Sequence, residues 1–168
     1  MNPRTRWTCA DIHEVPKEFS ASSKWRKYRR FDGKTLPFPD QTFDAVLFSD
    51  VLHHCMENAV PLLTEALRVG HCVIVKDHFE YGGFSRQFLR LMDYIGNYGY
   101  GVRIPDSYFS EKTFREACRF SGAELSDLRI GLDLYSGFPF IRHVIKKEWQ
   151  FIAVLHAANR PLSRILPR

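Results

Sequence analysis

The stretch FDGKTLPFPDQTFDAVLFSDVLHH, residues 31–54, decides the fold predicted for this chain of 168 residues. It begins at the turn pair Asp32-Gly33, crosses a proline-containing loop and enters the apolar run 43–48. A run that is apolar on both sides of the pleat is typical of a central strand in a parallel sheet with helices on both faces. Open α/β sheets bind ligands beyond the carboxyl ends of their strands. The polar residues found at that position are Ser49, Asp50, His53 and His54.

The residues after this stretch predict a β–α–β unit. Apolar residues recur with helical spacing across 57–69, and the short apolar run 72–75 follows directly. A right-handed crossover between two parallel strands brings both carboxyl ends to the same rim of the sheet. We therefore expect residues 49–54 and 76–78 to face one crevice.

The remaining segments complete a single α/β domain over residues 1–168, with residues 28–156 as its folded part. Residues 1–27 show no sustained periodicity and predict an irregular, basic N-terminal segment, and residues 157–168 predict a basic tail. The other expected elements are a short strand at 28–31, helices at 84–95 and after Ser110, and two antiparallel strands at 128–134 and 149–155.

Composition favours a cytoplasmic protein. The chain is 45% hydrophobic, enough for a core, but it has no stretch of membrane-spanning length and no N-terminal apolar segment of the signal-peptide type. Its four cysteines show no CxxC spacing, so reduced thiols are the simplest interpretation.

The positive charge is concentrated near the N-terminus. Residues 1–34 carry nine Lys and Arg against four acids, and the densest part is residues 24–30, where basic and aromatic side chains alternate. Such a segment is either a solvated surface or a contact for an anionic partner. The sequence has no zinc-finger spacing and no nucleic-acid motif, which argues against nucleic acid as a partner.

Histidines at the predicted rim raise the question of a metal ion or a general base. Ligand-type atoms are offered by His53, His54, Cys55, Asp77 and His78. Adjacent histidines usually point apart, however, and no HxxxH pattern is present, so we predict no metal. A neutral imidazole can accept a proton near pH 7, which makes His53 and His54 the candidate catalytic residues. Asp32-Gly33 is either a tight turn or a carboxylate that accepts hydrogen bonds from a ligand.

Three motifs together resemble the class I S-adenosylmethionine-dependent methyltransferases. They are residues 32–40 (DGKTLPFPD), residues 43–46 (FDAV) and residues 49–54 (SDVLHH). The resemblance continues through the helix at 62–69 and the strand at 73–77, and covers roughly residues 28–156. It implies a Rossmann-like sheet, mainly parallel, that ends in an antiparallel hairpin.

The same resemblance assigns site residues. In that family the acid after the third strand contacts the adenine of S-adenosylmethionine, which corresponds here to Asp32 with Gly33 beside it. The segment after the fourth strand lines the methionine side of the cofactor, which corresponds to Ser49 and Asp50. The implied reaction transfers a methyl group to a small-molecule acceptor; the alternative is a catalytically silent methyltransferase-like module or partner subunit.

The chain departs from the family at its N-terminus. The glycine-rich first loop and the acid that ends the second strand should precede residue 28, and we identify neither, as if an N-terminally truncated sheet began just past the second strand. The family's sheet order is 3-2-1-4-5-7-6, so strand 43–48 would become an edge. An apolar edge strand pairs readily with another strand. We expect residues 1–23, another polypeptide or a second copy of the chain to cover it.

Overall fold

The computed structural model describes residues 5–15, 27–134, 137 and 145–160. The predictions for basic residues 24–26 and for residues 161–168 of the tail lie outside this part of the chain. Within it, no helix combines the length and the apolar content needed to cross a bilayer.

Strands form two sheets. In the smaller sheet, β1 (Cys9–Asp11) pairs in parallel with β2 (Tyr28–Arg30). The larger sheet has the order β3-β4-β6-β5. Its members are β3 (Phe43–Ser49), β4 (Gly70–His78), β5 (Ala123–Ile130) and β6 (Gln150–Ala157).

The directions of these four strands confirm the predicted fold class. β3 and β4 are parallel, whereas β6 runs antiparallel to both β4 and β5. Three strands therefore point the same way and β6 alone is reversed. The strand order β3-β4-β6-β5 corresponds to strands 4-5-7-6 of the sheet that the resemblance implies, and the antiparallel hairpin lies at the end of that sheet.

Two expectations need correction. Cys9–Asp11 is a strand rather than irregular chain, because its three residues are too few to show a periodicity yet pair fully with Tyr28–Arg30. The strand expected at 128–134 lies at Ala123–Ile130 and begins directly after a helix, with a register shift between Leu125 and Asp127. That bulge interrupts the alternation from which its position was predicted.

Local signals explain the helices. A 3₁₀ segment, Leu52–Asn58, leads into α1 (Ala59–Val69), which tolerates Pro61 in its first turn. α2 spans Gly83–Gly96, and α3 spans Glu111–Phe120. At the start of α3, the Ser110 and Thr113 side chains reciprocally bond the backbone N–H groups of the first turn.

The main core lies between α1, α3 and the larger sheet. Its fully buried members include Leu63, Val73, Phe114 and Phe151. Gly70 allows α1 to turn directly into β4, because a Cβ at this position would lie 2.7 Å from the Val46 side chain. A smaller cluster seats α2 and consists of Leu89, Tyr108, Ile145 and Trp149.

As expected, β3 is an edge strand: its neighbour in the described sheet is β4, and its other side pairs with no described strand. Leu47 on this strand is 45% exposed. β3 and β4 end side by side, with Ser49 opposite Lys76.

Candidate functional site

Polar side chains from the ends of β3 and β4 meet at one rim, as the β–α–β unit predicts. The Asp50 backbone N–H donates to the carbonyl of Lys76 at 2.8 Å, and the Lys76 Nζ lies 2.6 Å from the Asp50 Oδ1. The same carboxylate oxygen is 3.3 Å from the His78 Nδ1. Residues 49–54 and 76–78 therefore lie together at this rim of the sheet.

Asp50 has a backbone conformation that few residues adopt. Its φ is +54°, in the left-handed region, which short polar side chains tolerate better than bulky ones. The chain thus turns sharply at the end of β3, and the Asp50 carboxylate points back toward Lys76. Unusual backbone held in place by surrounding contacts is common at functional sites.

Below this rim lies a buried histidine–carboxylate pair. The Nδ1 of His53 and the Oδ1 of Asp77 are 2.5 Å apart, and both side chains are fully buried. The Asp77 carboxylate also accepts the backbone N–H groups of His53, at 3.3 Å, and of His78, at 2.7 Å. These contacts hold the His53 ring in one orientation.

A second carboxylate approaches His53 from α2. The Oδ2 of Asp93 lies 3.3 Å from the Nε2 of His53, and the Tyr108 hydroxyl donates to the same oxygen at 2.5 Å. Asp93 was not among the residues predicted from the sequence, because a single acid within an amphipathic helix carries no local signal. Tyr108 contacts this cluster through Asp93 and packs 5.3 Å from the His53 ring.

The two carboxylates set the charge of His53. Burial by itself would lower its pKa, but the hydrogen bond to Asp77 and the charges of Asp77 and Asp93 outweigh it and raise the pKa of His53 to about 10. Burial likewise opposes ionisation of Asp77, yet His53 and His78 hold the Asp77 pKa far below its ordinary value. In the absence of another cation, His53 is therefore an imidazolium at neutral pH and does not offer a free lone pair to a substrate.

His54 has the opposite character. Burial and the positive charge of His53 lower its pKa, so it is neutral near pH 7. Its Nδ1 lies 3.1 Å from the carbonyl oxygen of Arg103. A carbonyl only accepts, so the proton is on Nδ1 and the lone pair on Nε2. His54 is the better placed of the two predicted bases.

The rings of His53 and His54 do not point apart. Their centroids are 4.1 Å apart with a 45° tilt. The expectation behind the prediction of no metal, that adjacent histidines diverge, is wrong here, since the two rings pack against each other at the turn that follows β3. Among the described residues, His53, His54 and Asp93 have ligand-type atoms within 4.8 Å of one another.

Asp32 and Gly33 lie in the turn that follows β2. The Asp32 Oδ1 accepts the backbone N–H groups of Lys34 and Thr35 at 2.8 and 2.7 Å, and these bonds lower the Asp32 pKa. Gly33 has a φ of +77°, and a Cβ there would lie 3.2 Å from the Ile12 side chain. Asp32 therefore forms a tight turn, which is one of the two roles predicted for it, and its side chain is exposed.

The strand β1 ends in an acid that the sequence interpretation missed. The Asp11 carbonyl accepts the backbone N–H of Phe31 at 3.0 Å, which extends the β1–β2 pairing. β1 and β2 are parallel neighbours, as strands 2 and 3 are in the order that the resemblance implies, so Asp11 is a candidate for the acid that the sequence interpretation did not identify. A glycine-rich first loop is still not among the 168 residues, since the first glycine of the chain is Gly33.

Comparison with known proteins gives one family match. Residues 3–72 match the family model of a methyltransferase domain. A search of curated proteins found no match.

The solved structures with a similar fold include several methyltransferases. A chain of the complex between the Haloferax volcanii Trm112 methyltransferase activator and a methyltransferase aligns with a TM-score of 0.56 and 15% identity, covering 80% of this chain and 62% of that one. The S-adenosylmethionine-dependent methyltransferase of Mesorhizobium loti aligns with a TM-score of 0.54 and 15% identity, and the alignment covers 87% of this chain and 77% of that one. An S-adenosylmethionine-dependent methyltransferase of Aquifex aeolicus aligns with a TM-score of 0.53 and 12% identity, and the alignment covers 87% of this chain and 65% of that one. The chain thus spans less than two thirds of the Haloferax and Aquifex chains.

Proposed function

We propose that this chain is a class I S-adenosylmethionine-dependent methyltransferase that binds S-adenosylmethionine and takes part in methyl transfer to a small-molecule acceptor. The family-model match over residues 3–72 and the fold support this proposal. The observation that carries the proposal is the rim where β3 and β4 end, at which Asp50, Lys76 and the His53–Asp77 pair meet. This is where an α/β sheet of this order holds its ligand.

The cofactor residues in this proposal come from both sheets. Ser49 and Asp50 lie at the rim of β3 and would face the methionine side of the cofactor. Asp32 and Gly33 follow β2 and would face the adenine. Asp11 ends β1 and would bind the ribose, since a carboxylate there can accept two hydroxyl hydrogen bonds.

In the proposed reaction the cofactor supplies an electrophilic methyl group on its sulfonium. The acceptor's nucleophile takes this methyl by in-line displacement, and S-adenosylhomocysteine leaves. His54 would accept the proton of an acceptor hydroxyl through Nε2, while His53 and Asp77 hold the turn that carries it. The rim residues align the reactants, which supplies much of the acceleration in such reactions.

Calorimetric titration of the folded chain with S-adenosylmethionine tests the proposal. We expect saturable binding of one cofactor per chain, weakened about 10- to 100-fold by Asp50→Ala through loss of a charged hydrogen-bonding group. Asp127→Ala on β5 is the matched control, because it removes an aspartate that lies on the opposite edge strand of the sheet. Protein that circular dichroism shows to be folded, but that produces no heat at high cofactor concentration, would rule out cofactor binding by this chain alone.

A second candidate function is that of a partner subunit or catalytically silent module. One observation favours it: one side of β3 pairs with no described strand. Another polypeptide would then supply a strand beside β3. Absence of cofactor binding together with a solution mass above that of the monomer would support this function over the first.

A further inference from the structure

We propose that His53, His54 and Asp93 form a binding site for a divalent transition-metal ion. Ligand-type atoms of the three residues lie within 4.8 Å of one another, a separation that small side-chain shifts convert into coordination of one ion. Two imidazoles and one carboxylate are a common ligand set for such ions. Metal binding at this cluster does not depend on the proposed methyl transfer.

The first argument is an unpartnered nitrogen. The His53 side chain is fully buried, and its Nε2 has no hydrogen-bond partner of acceptable geometry among the described residues. It lies 3.3 Å from the Oδ2 of Asp93. Buried polar atoms are almost always satisfied, so this nitrogen points to a cation bound between it and Asp93, which would displace the Nε2 proton to solvent.

The second argument is the support behind each ligand. Asp77 holds the Nδ1 side of His53, which directs Nε2 toward the cluster. Tyr108 donates to Asp93 and fixes that carboxylate. Histidine–carboxylate pairs and hydrogen-bonded carboxylates of this kind orient the ligands of protein metal sites.

The third argument concerns His54. Its Nδ1–H donates to the Arg103 carbonyl, so Nε2 presents a lone pair. His54 and Asp93 are only partly buried, which leaves an entry path that the deeper His53 lacks. Nitrogen ligands favour zinc, iron, nickel or cobalt over magnesium and calcium, which prefer oxygen.

A second group has ligand-type atoms equally close together but is a weaker candidate for a metal site. Its members are His53, Asp77 and His78. The Asp77 oxygens already accept three N–H groups: Nδ1–H of His53 and the backbone N–H groups of His53 and His78. Binding an ion there would break these bonds. The group that contains Asp93 would lose the His53 Nε2 proton and its contact with Asp93, but it would keep the hydrogen bonds that Asp77 and Tyr108 make.

Three protein ligands would leave coordination positions open. If the proposed function holds, an acceptor hydroxyl could occupy one of them and lose its proton to solvent more readily, because a bound cation lowers the pKa of a coordinated oxygen. In the metal-bound protein His54 would then act as a ligand and no longer as the base. This use of the ion rests on the proposed function, whereas the presence of the site does not.

The test is titration of the chelator-treated, folded chain with Zn²⁺ by calorimetry and with Co²⁺ by absorption spectroscopy. We expect one ion per chain and cobalt d–d bands without thiolate-to-cobalt charge transfer. Asp93→Asn and His54→Ala, both at partly exposed positions, should each weaken binding at least about tenfold, and Asp77→Asn about 10- to 100-fold. His13→Ala, at an exposed histidine outside the cluster, should leave binding unchanged.

Three results would overturn the proposal. They are no binding to folded protein at millimolar metal, binding unaffected by both Asp93→Asn and His54→Ala, or a thiolate charge-transfer band that shows cysteine ligation. Titration of the same preparations with S-adenosylmethionine is read separately, so failure of the metal site and failure of cofactor binding are distinguished.

Discussion

At the scale of single residues, Arg68 shows how one side chain stabilises the loop before β3. Its guanidinium donates to the backbone carbonyls of Leu36 and Phe38 at 3.0 and 2.9 Å. It also contacts the carboxylates of Asp40 and Glu65, each at 2.8 Å. Glu65 in turn accepts the backbone N–H of Leu36 at 2.9 Å. A helix side chain therefore determines the path of the loop that leads into the rim.

This arrangement predicts a pH dependence. Hydrogen bonding to Arg68 lowers the Glu65 pKa below its ordinary 4.5, so the ionised carboxylate stabilises the fold above that pH. The contribution is lost as pH falls through the lowered pKa of the folded state. We expect Glu65→Gln to reduce the free energy of unfolding by about 0.5–1 kcal/mol at pH 7, since the pair is partly solvent-screened, and by progressively less toward pH 3.

Urea denaturation across that pH range measures the effect. Glu111→Gln is the matched control, because Glu111 forms an exposed ion pair with Arg115 within α3. A Glu65→Gln deficit that stays constant with pH would contradict the explanation.

At the scale of elements, the two edges of the larger sheet differ. The β5 edge carries Glu124, Asp127 and Arg129 and has a bulge, features that discourage pairing with another strand. The β3 edge has Asp44 as its one charged residue and a regular register with β4 over its paired residues. β3 is therefore the edge at which association is expected.

We expect the protein to self-associate through β3 as its concentration rises, or β3 to pair with a strand of another protein. Leu47→Lys would place a charge on this edge and shift the protein toward the monomer by size-exclusion chromatography with light scattering. Ile130→Lys on β5 should leave the mass unchanged. A wild-type protein that remains monomeric at every concentration would count against self-association.

At the scale of the whole molecule, stability is unevenly distributed. β4 and β6 lie inside the larger sheet and contribute Val73, Val75, Ala153 and Leu155 to the main core. α2 is seated by the smaller cluster and leaves Phe84, Leu91 and Ile95 more than half exposed. The element that carries Asp93 thus has fewer buried contacts than the sheet below it.

Amide hydrogen exchange should follow this division. We expect amides of α2 to exchange before those of β4 and β6, because local opening of α2 exposes little buried apolar surface. Binding of a metal ion to Asp93 would add protection to α2 without changing the central strands. Equal protection of α2 and β4 in the metal-free protein would contradict this prediction.

Much of the fold could be predicted because its signals are local. The β–α–β unit followed from the change of hydrophobic period around residues 43–75, and the start of α3 from Ser110. The short strand Cys9–Asp11 could not be predicted, since three residues carry no period and its evidence is the pairing with β2. The start of β5 was obscured by its bulge.

The sequence by itself determined the class of sheet, the rim at Ser49–His54 and the resemblance to methyltransferases, because these depend on residue order and periodicity within short windows. Only the tertiary structure decided the contacts of His53. Asp77 and Asp93 are distant in sequence from it and reach it through β4 and α2. Their negative charges hold a proton on His53, whereas neighbouring His54 stays neutral. The difference between the adjacent histidines is electrostatic and follows from burial and distance.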